Sequence, residues 1–221
     1  MTTQIVSIEG NIGSGKSTLL EFLRNKFNEN PKVIFLKEPV DEWSTITDAN
    51  NVTILQKFYE NQDKYSFSFQ MMAYISRLAI LKETVENNQG SIIVTERSLY
   101  TDRLVFAKML FDSEKIELIN YRIYLKWFDT FSKDFPVDKV IYVKTDPDIC
   151  HKRIMKRSRT GEDNIPLTYL TSCHDYHNKM LMNNNTDFLC EKKLLLNGNV
   201  DIYENEEKLQ EWIKQIEDFI I

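Results

Sequence analysis

The stretch Gly10-Asn11-Ile12-Gly13-Ser14-Gly15-Lys16-Ser17, followed by Thr18, constrains this chain more than any other. It lies between the apolar run Ile5, Val6, Ile8 and the series Leu19, Leu20, Phe22, Leu23, whose spacing predicts a helix. A strand that turns through glycines into a helix N-terminus brings free amide N–H groups and the positive end of a helix dipole around an anion. Residues 10–18 are therefore expected to hold a nucleoside triphosphate, with Lys16 reaching its β- and γ-phosphates and Ser17 holding a magnesium ion. The bland alternative is a glycine-containing turn without chemical purpose, and the ordered strand, loop and helix disfavour it.

Downstream, short apolar runs alternate with long helical patterns: Ile5 to Ile8, Val33 to Leu36, Ile92 to Thr95, Val140 to Val143 and Leu194 to Leu196. Five strands separated by helices predict a parallel sheet with crossover helices on both faces. The fold class is α/β: a doubly wound, five-stranded parallel sheet of the P-loop NTPase type, flanked by helices. The 221 residues fit a single domain spanning 1–221, and Asn183 to Asn185 reads as a short loop. A net charge of −5 argues against nucleic-acid polymer or anionic membrane as a partner, so any polyanion site must be local. No apolar run approaches the length of a membrane span, and a soluble, cytoplasmic protein is expected. Cys150, Cys173 and Cys190 are too scattered for a disulfide framework. His174 with His177 reads as a pair on a helix surface, with no metal site.

In such folds ligands bind beyond the carboxyl ends of the strands. Glu38 follows the second strand, and a carboxylate facing a triphosphate is unfavourable unless it has a task, such as accepting the proton of an attacking hydroxyl. Glu96 and Arg97 follow the third strand, where a carboxylate can hold magnesium and a guanidinium can pair with Glu38. Arg153, Lys156 and Arg157 share one helical face, where like charges repel unless an anion neutralises them. With Arg159, Gly161, Glu162 and Asp163 they read as a lid, at about residues 153–163, closing over the phosphates. The series Trp43, Phe58, Tyr59, Phe69, Gln70, Arg77, Asp102 and Phe106 suits a flat heterocycle stacked on Phe106 and read at its edge by an amide and a charged pair. Each feature has a structural alternative: a helix cap, an ion pair, a solvated basic face, a helix core.

The ordered set GNIGSGKST, KEPVDEW, a helix ending in SFQ, TERSLYTDR, and RIMKRSRTGED with IPLTYL behind it resembles the deoxyribonucleoside kinase family of deoxycytidine, deoxyguanosine and insect multisubstrate kinases. The resemblance runs from about Ile5 to about His177. It implies transfer of a phosphoryl group from ATP, or another nucleoside triphosphate, with Mg2+, to the 5′-hydroxyl of a deoxynucleoside. By position it implies Glu38 as the base with Arg97 beside it, Glu96 with Ser17 at the magnesium ion, and Tyr59 with Glu162 at the sugar 3′-hydroxyl. Gln70 matches the base-edge amide, Phe106 the stacking ring, Trp43 and Phe69 the pocket walls. Arg153, Arg157 and Arg159 match lid arginines, and Gly161 stands where family members often carry an acidic residue. A homodimer built through long helices such as the one containing Phe67 to Val85 is also implied.

In thymidine-preferring members the positions of Arg77 and Asp102 are typically small and apolar. Here they are charged, with small Ala73 alongside, which implies deoxycytidine and purine deoxynucleosides as acceptors ahead of thymidine, whose 4-oxo group would face an acceptor. A thymidylate-type monophosphate kinase shares the loop, sheet and lid, yet its acceptor phosphate would be repelled by Glu38. A nucleotide-dependent switch module is the rival from another class, and no switch signature is found in the sequence.

Overall fold

The structure, a computed structural model, describes residues 2–157, 165–182, 187–188 and 190–221. Residues expected in the lid or the Asn183 to Asn185 loop, namely Arg159, Gly161, Glu162, Asp163 and the three asparagines, lie outside the described residues.

Five strands, β1 (Gln4–Glu9), β2 (Val33–Leu36), β3 (Ile92–Glu96), β4 (Lys139–Lys144) and β5 (Lys192–Asn197), pair in the order β2-β3-β1-β4-β5. All four pairings are parallel, with Ile8 opposite both Glu96 and Ile141. This is the doubly wound sheet expected from the alternating pattern. Because side chains alternate across a strand, each interior strand feeds two cores. Val6, Ile8, Val94 and Ile141 pack with Leu19, Leu20 and Leu23 of α1 (Lys16–Lys26) and Trp212, Ile213 and Ile216 of α10 (Glu206–Ile220). Ile5 and Ile93 face the other way, onto Tyr74 of α4 (Gln62–Asn87) and Tyr124 and Phe128 of α7 (Leu118–Phe131). Each fully buried aliphatic side chain contributes about 1.5–3 kcal/mol, so truncating Leu20, which has no exposed surface, would cost about 2–5 kcal/mol.

The shorter helices α2 (Val40–Trp43) and α3 (Ile54–Glu60) lead into α4. Thr53 and Gln56 form a capping box at the start of α3, satisfying N–H groups that the first turn leaves unpaired. The long helix expected to contain Phe67 to Val85 runs from Gln62 to Asn87, because its apolar positions go on meeting the core beyond Tyr74. After β3 the chain forms α5 (Leu99–Thr101), a π-helical segment (Asp102–Ala107) and α6 (Lys108–Asp112). Helix α8 (Pro147–Arg157) starts on the proline expected in its first turn, and α9 is Leu167–Leu181. No helix among the described residues is long and apolar enough to cross a membrane.

One expectation is overturned here. His177 does not lie on a helix surface: it is wholly buried and packs edge-on to Phe106. Burial pushes its pKa down to about 3, so the ring is neutral, and Nδ1 is satisfied by the Cys173 carbonyl. The face of α9 that carries His177 also carries Cys173, Met180 and Leu181 and lies on the core side, where an uncharged imidazole packs as an aromatic ring.

Candidate active site

A cleft of about 410 Å³ opens beyond the carboxyl ends of the strands, within the size range of small-molecule pockets. Its donor half is the turn from β1 to α1. Gly10, Gly13 and Gly15 have φ of 148°, 76° and 99°. At Gly13 a side chain is also excluded by space, since a Cβ would come within 2.7 Å of the Cys150 carbonyl oxygen. Leu19 N–H bonds to Gly15 O, so the amides before it are left free at the helix start. Ile12, Gly13, Ser14, Gly15, Lys16, Ser17 and Thr18 line the cleft. Gly10 and Asn11 were expected there too, but do not line it. Asn11 donates from Nδ2 to Leu170 O at 2.8 Å, fastening the loop to α9.

Lys16 is buried and donates to Asn11 O at 2.7 Å across the loop. Burial, with Arg97 nearby, lowers its pKa to about 8, so an anion in the cradle would favour its charged form. Ser17 Oγ donates to Glu96 Oε1 at 2.7 Å, placing a hydroxyl and a carboxylate side by side on the cleft wall. Such hard oxygen donors beside a phosphate cradle suit a magnesium ion.

Arg153, Lys156 and Arg157 line the cleft from α8. Arg153 does not behave as a lid residue: its guanidinium donates to the carbonyls of Gly198 at 2.8 Å, Val200 at 3.1 Å and Ser14 at 3.4 Å. It therefore clamps the phosphate loop, α8 and the segment after β5 together. That segment, with Val200, Asp201, Ile202 and Tyr203, forms a wall that sequence reasoning missed. Nothing in its composition sets it apart.

The acceptor half is built from side chains. Arg97 has φ +63°, the left-handed region, which costs about 1–3 kcal/mol and persists only where its surroundings fix it. Arg97 N donates to Ile8 O at 2.9 Å, and the residues after it are held by Glu9, a buried carboxylate at the end of β1 that accepts from Ser98 N, Thr101 Oγ1 and Ser7 Oγ. Sequence reasoning passed over Glu9; a carboxylate inside an apolar strand next to a phosphate loop was the available signal.

Thus held, Arg97 Nη1 lies 2.6 and 2.7 Å from the two oxygens of Glu38. Arg77 Nη2 donates to Glu38 Oε1 at 2.9 Å. Burial alone would raise the Glu38 pKa, but Arg97, Arg77 and Lys16 outweigh it and hold the carboxyl down at about 2. Glu38 is therefore ionised and able to accept a proton.

Arg77 was expected to contact substrate, and it is not among the residues that line the cleft. Two carboxylates and a carbonyl draw its guanidinium behind the wall: Nε to Asp102 Oδ2 at 2.8 Å, Nη2 to Glu38, and Nη1 to Glu96 O at 2.7 Å. Asp102 does line the cleft; burial raises its pKa, against the pull of Arg77. Gln70 is 2% exposed, lines the cleft, and its side-chain amide makes no hydrogen bond to a described residue. A buried amide without a protein partner suits a polar ligand edge.

Around these groups stand Trp43, Phe58, Tyr59, Phe69, Ala73, Phe106 and Tyr169. Phe58 stacks on Phe69 at 4.6 Å, Trp43 meets Phe69 edge-on at 5.5 Å, and Trp43 Nε1 is anchored to Ser76 Oγ at 2.8 Å. The Arg97 guanidinium lies 5.2 Å from the Phe106 ring centroid. Tyr169 joins this wall beyond the residues singled out for it in the sequence.

A phosphate cradle thus shares one cleft with a deprotonated glutamate and an aromatic slot, an arrangement able to move a phosphoryl group onto a hydroxyl. The deoxynucleoside kinase family model matches residues 6–221. The chain belongs to the deoxynucleoside kinase family. It is similar to a probable deoxycytidine kinase of fowlpox virus, 34% identical over 99% of this chain and 89% of the relative. Human deoxycytidine kinase is 34% identical over 95% of this chain and 89% of its own length. A mitochondrial deoxyguanosine kinase of Xenopus laevis is 30% identical over 100% of this chain and 91% of the relative. The activity is accordingly that of a nucleoside kinase, drawing on a nucleotide phosphate donor.

Proposed function

We propose that this deoxynucleoside kinase, acting as one domain over residues 1–221, takes deoxycytidine and purine deoxynucleosides ahead of thymidine and phosphorylates the 5′-hydroxyl from ATP or another nucleoside triphosphate. The observation that carries the preference is the pairing in one slot of the Asp102 carboxylate with the unpartnered Gln70 amide. An exocyclic amino group can donate to Asp102, whereas the 4-oxo group of thymine brings a second acceptor. Comparing kcat/KM for the four deoxynucleosides tests this; thymidine as the preferred acceptor would overturn it.

The chemistry follows from the side chains. The hydroxyl proton passes to Glu38 as the 5′-oxygen forms its bond to the γ-phosphorus, and the bond to the β-phosphate oxygen breaks. The loop amides and Lys16 hold the triphosphate, and Arg157 with Arg159 would stabilise charge on the transferring group. Ser17 and Glu96 would hold Mg2+, which when bound neutralises phosphate charge. Tyr59 and Glu162 are read as the partners of the sugar 3′-hydroxyl, Phe106 as the ring on which the base stacks. A monophosphate acceptor would meet the Glu38 carboxylate, so the monophosphate-kinase reading is disfavoured.

The exposed stripe Ile119, Ile123, Trp127 and Phe131 on α7, with the exposed Ile75 on the adjoining α4, supports a homodimer through these two helices. Light scattering on the wild type and on the pair Ile119→Asp and Trp127→Glu should find a dimer and a monomer respectively. A role in nucleotide salvage for DNA precursors, in the cytoplasm, is the matching cellular reading, in keeping with three buried free thiols.

A further inference from the structure

Arg77 stands between the carboxylate read as contacting the base and the carboxylate read as taking the proton. Its Nε lies 2.8 Å from Asp102 Oδ2, while Nη2 is shared, at 2.9 Å from Glu38 Oε1 and 3.4 Å from Asp102 Oδ1. Nη1 is pinned to Glu96 O at 2.7 Å. The guanidinium is planar and rigid, so these bonds move as one body, and a turn that shortens one contact lengthens another. Arg77, Arg97 and Asp102 are all buried, so little water is at hand to absorb such a shift.

We infer that Arg77 is a positioning residue that couples recognition of the base at Asp102 to the aim of Glu38 at the 5′-hydroxyl. The inference rests on the reading of Glu38 as the proton acceptor. The 3.4 Å contact is at the weak limit of hydrogen bonding, which leaves Asp102 Oδ1 short of a donor. An amino group on the base supplies that donor and leaves Nη2 to Glu38. A base without one leaves Oδ1 with Nη2 as its partner, and the guanidinium plane turns toward Asp102. Glu38 is then held by Arg97 alone and swings from its line to the hydroxyl. Misplacement of a reacting group by about 1 Å can lower a rate by about 10²-fold, so base identity registers in kcat as well as in KM.

The test compares deoxycytidine with the deoxyribonucleoside of 2-pyrimidinone, which carries hydrogen in place of the amino group. With the wild type, loss of the amino group should lower kcat by roughly ten-fold or more besides raising KM. In the double variant Arg77→Met with Asp102→Asn, which leaves no unpaired buried charge, and in Arg77→Lys, whose single ammonium lacks the fork, the two kcat values should agree within about two-fold. An equal kcat ratio in the wild type and both variants, or none in the wild type, overturns the coupling. Glu38→Gln is measured alongside. If it keeps its kcat, the reading of Glu38 fails and takes the inference with it. If it loses its kcat while the amino effect persists in the Arg77 variants, only the coupling fails.

Discussion

The two halves of the cleft are made of different material. The donor half is built chiefly on main chain, a glycine-bent backbone running into a helix start, with Lys16, Ser17 and the basic side chains of α8 around it. The acceptor half is an interlocked set of buried side chains, in which Glu38, Arg77, Arg97 and Asp102 share their charges. A triphosphate presents much the same oxygens whatever its base, and main-chain amides suffice to hold them. Nucleosides differ at the base edge, and telling them apart takes side chains whose hydrogen-bonding sense can be satisfied or left wanting.

Substitutions at the two ends should therefore fail differently. The largest expected effect is at Glu38. Glu38→Gln should lower kcat by about 10²–10⁴-fold while deoxynucleoside binding, followed by calorimetry, persists; near-normal turnover would remove Glu38 from the role of base. Next comes Gln70→Leu, which should lower kcat/KM by about 10–100-fold for deoxycytidine and leave the KM for ATP within about two-fold. A matching loss in the ATP KM would erase the division between the halves.

Gly13→Ala attacks the donor half through its backbone. With φ at 76° and the Cys150 carbonyl in the way, it should cost about 1–3 kcal/mol of stability, read as a lower Tm, and weaken nucleotide binding. An unchanged Tm would mean that the loop has room to move. The smallest effect is one of pH. Because Glu38 has its pKa depressed from 4.5 to about 2, the stability its pairing supplies is present above about pH 4.5 and lost as pH falls toward 2. The Tm advantage of the wild type over Glu38→Gln, followed by calorimetry, should shrink on acidification from about pH 5 to about pH 3. A constant difference would mean that the arginines do not hold Glu38 down.

Much of the fold and of the cleft is legible in the sequence. The β1 loop, the alternation of strands and helices, and the rule that strand ends carry ligands bring Lys16, Glu38, Glu96 and Arg97 to one place from local pattern alone. The resemblance to kinases then gave Gln70, Phe106 and Asp102 their expected roles. Three partnerships were not readable, for one reason: each is made between segments far apart in the chain. Glu9 meets Thr101, Arg153 meets Gly198, and Arg77 meets Glu38, and in each case only the packed sheet and helices set which donor faces which acceptor. His177 is buried although the sequence points to a surface, because helical spacing gives a face without saying whether that face looks outward.

The π-helical segment Asp102–Ala107 carries one further consequence, for how such a molecule can change over generations. An α-helix that gains a residue turns everything after it by about 100°, and a π segment absorbs that extra residue within the helix. Asp102 lies at the near end of the segment, and Met109 and Leu110 lie buried beyond its far end. Loss of a single residue from this stretch would restore an ordinary helix without breaking it, but the cleft wall and the core could then no longer both keep their facing. A one-codon deletion here would thus turn Asp102 relative to the core behind it, a change that no substitution makes.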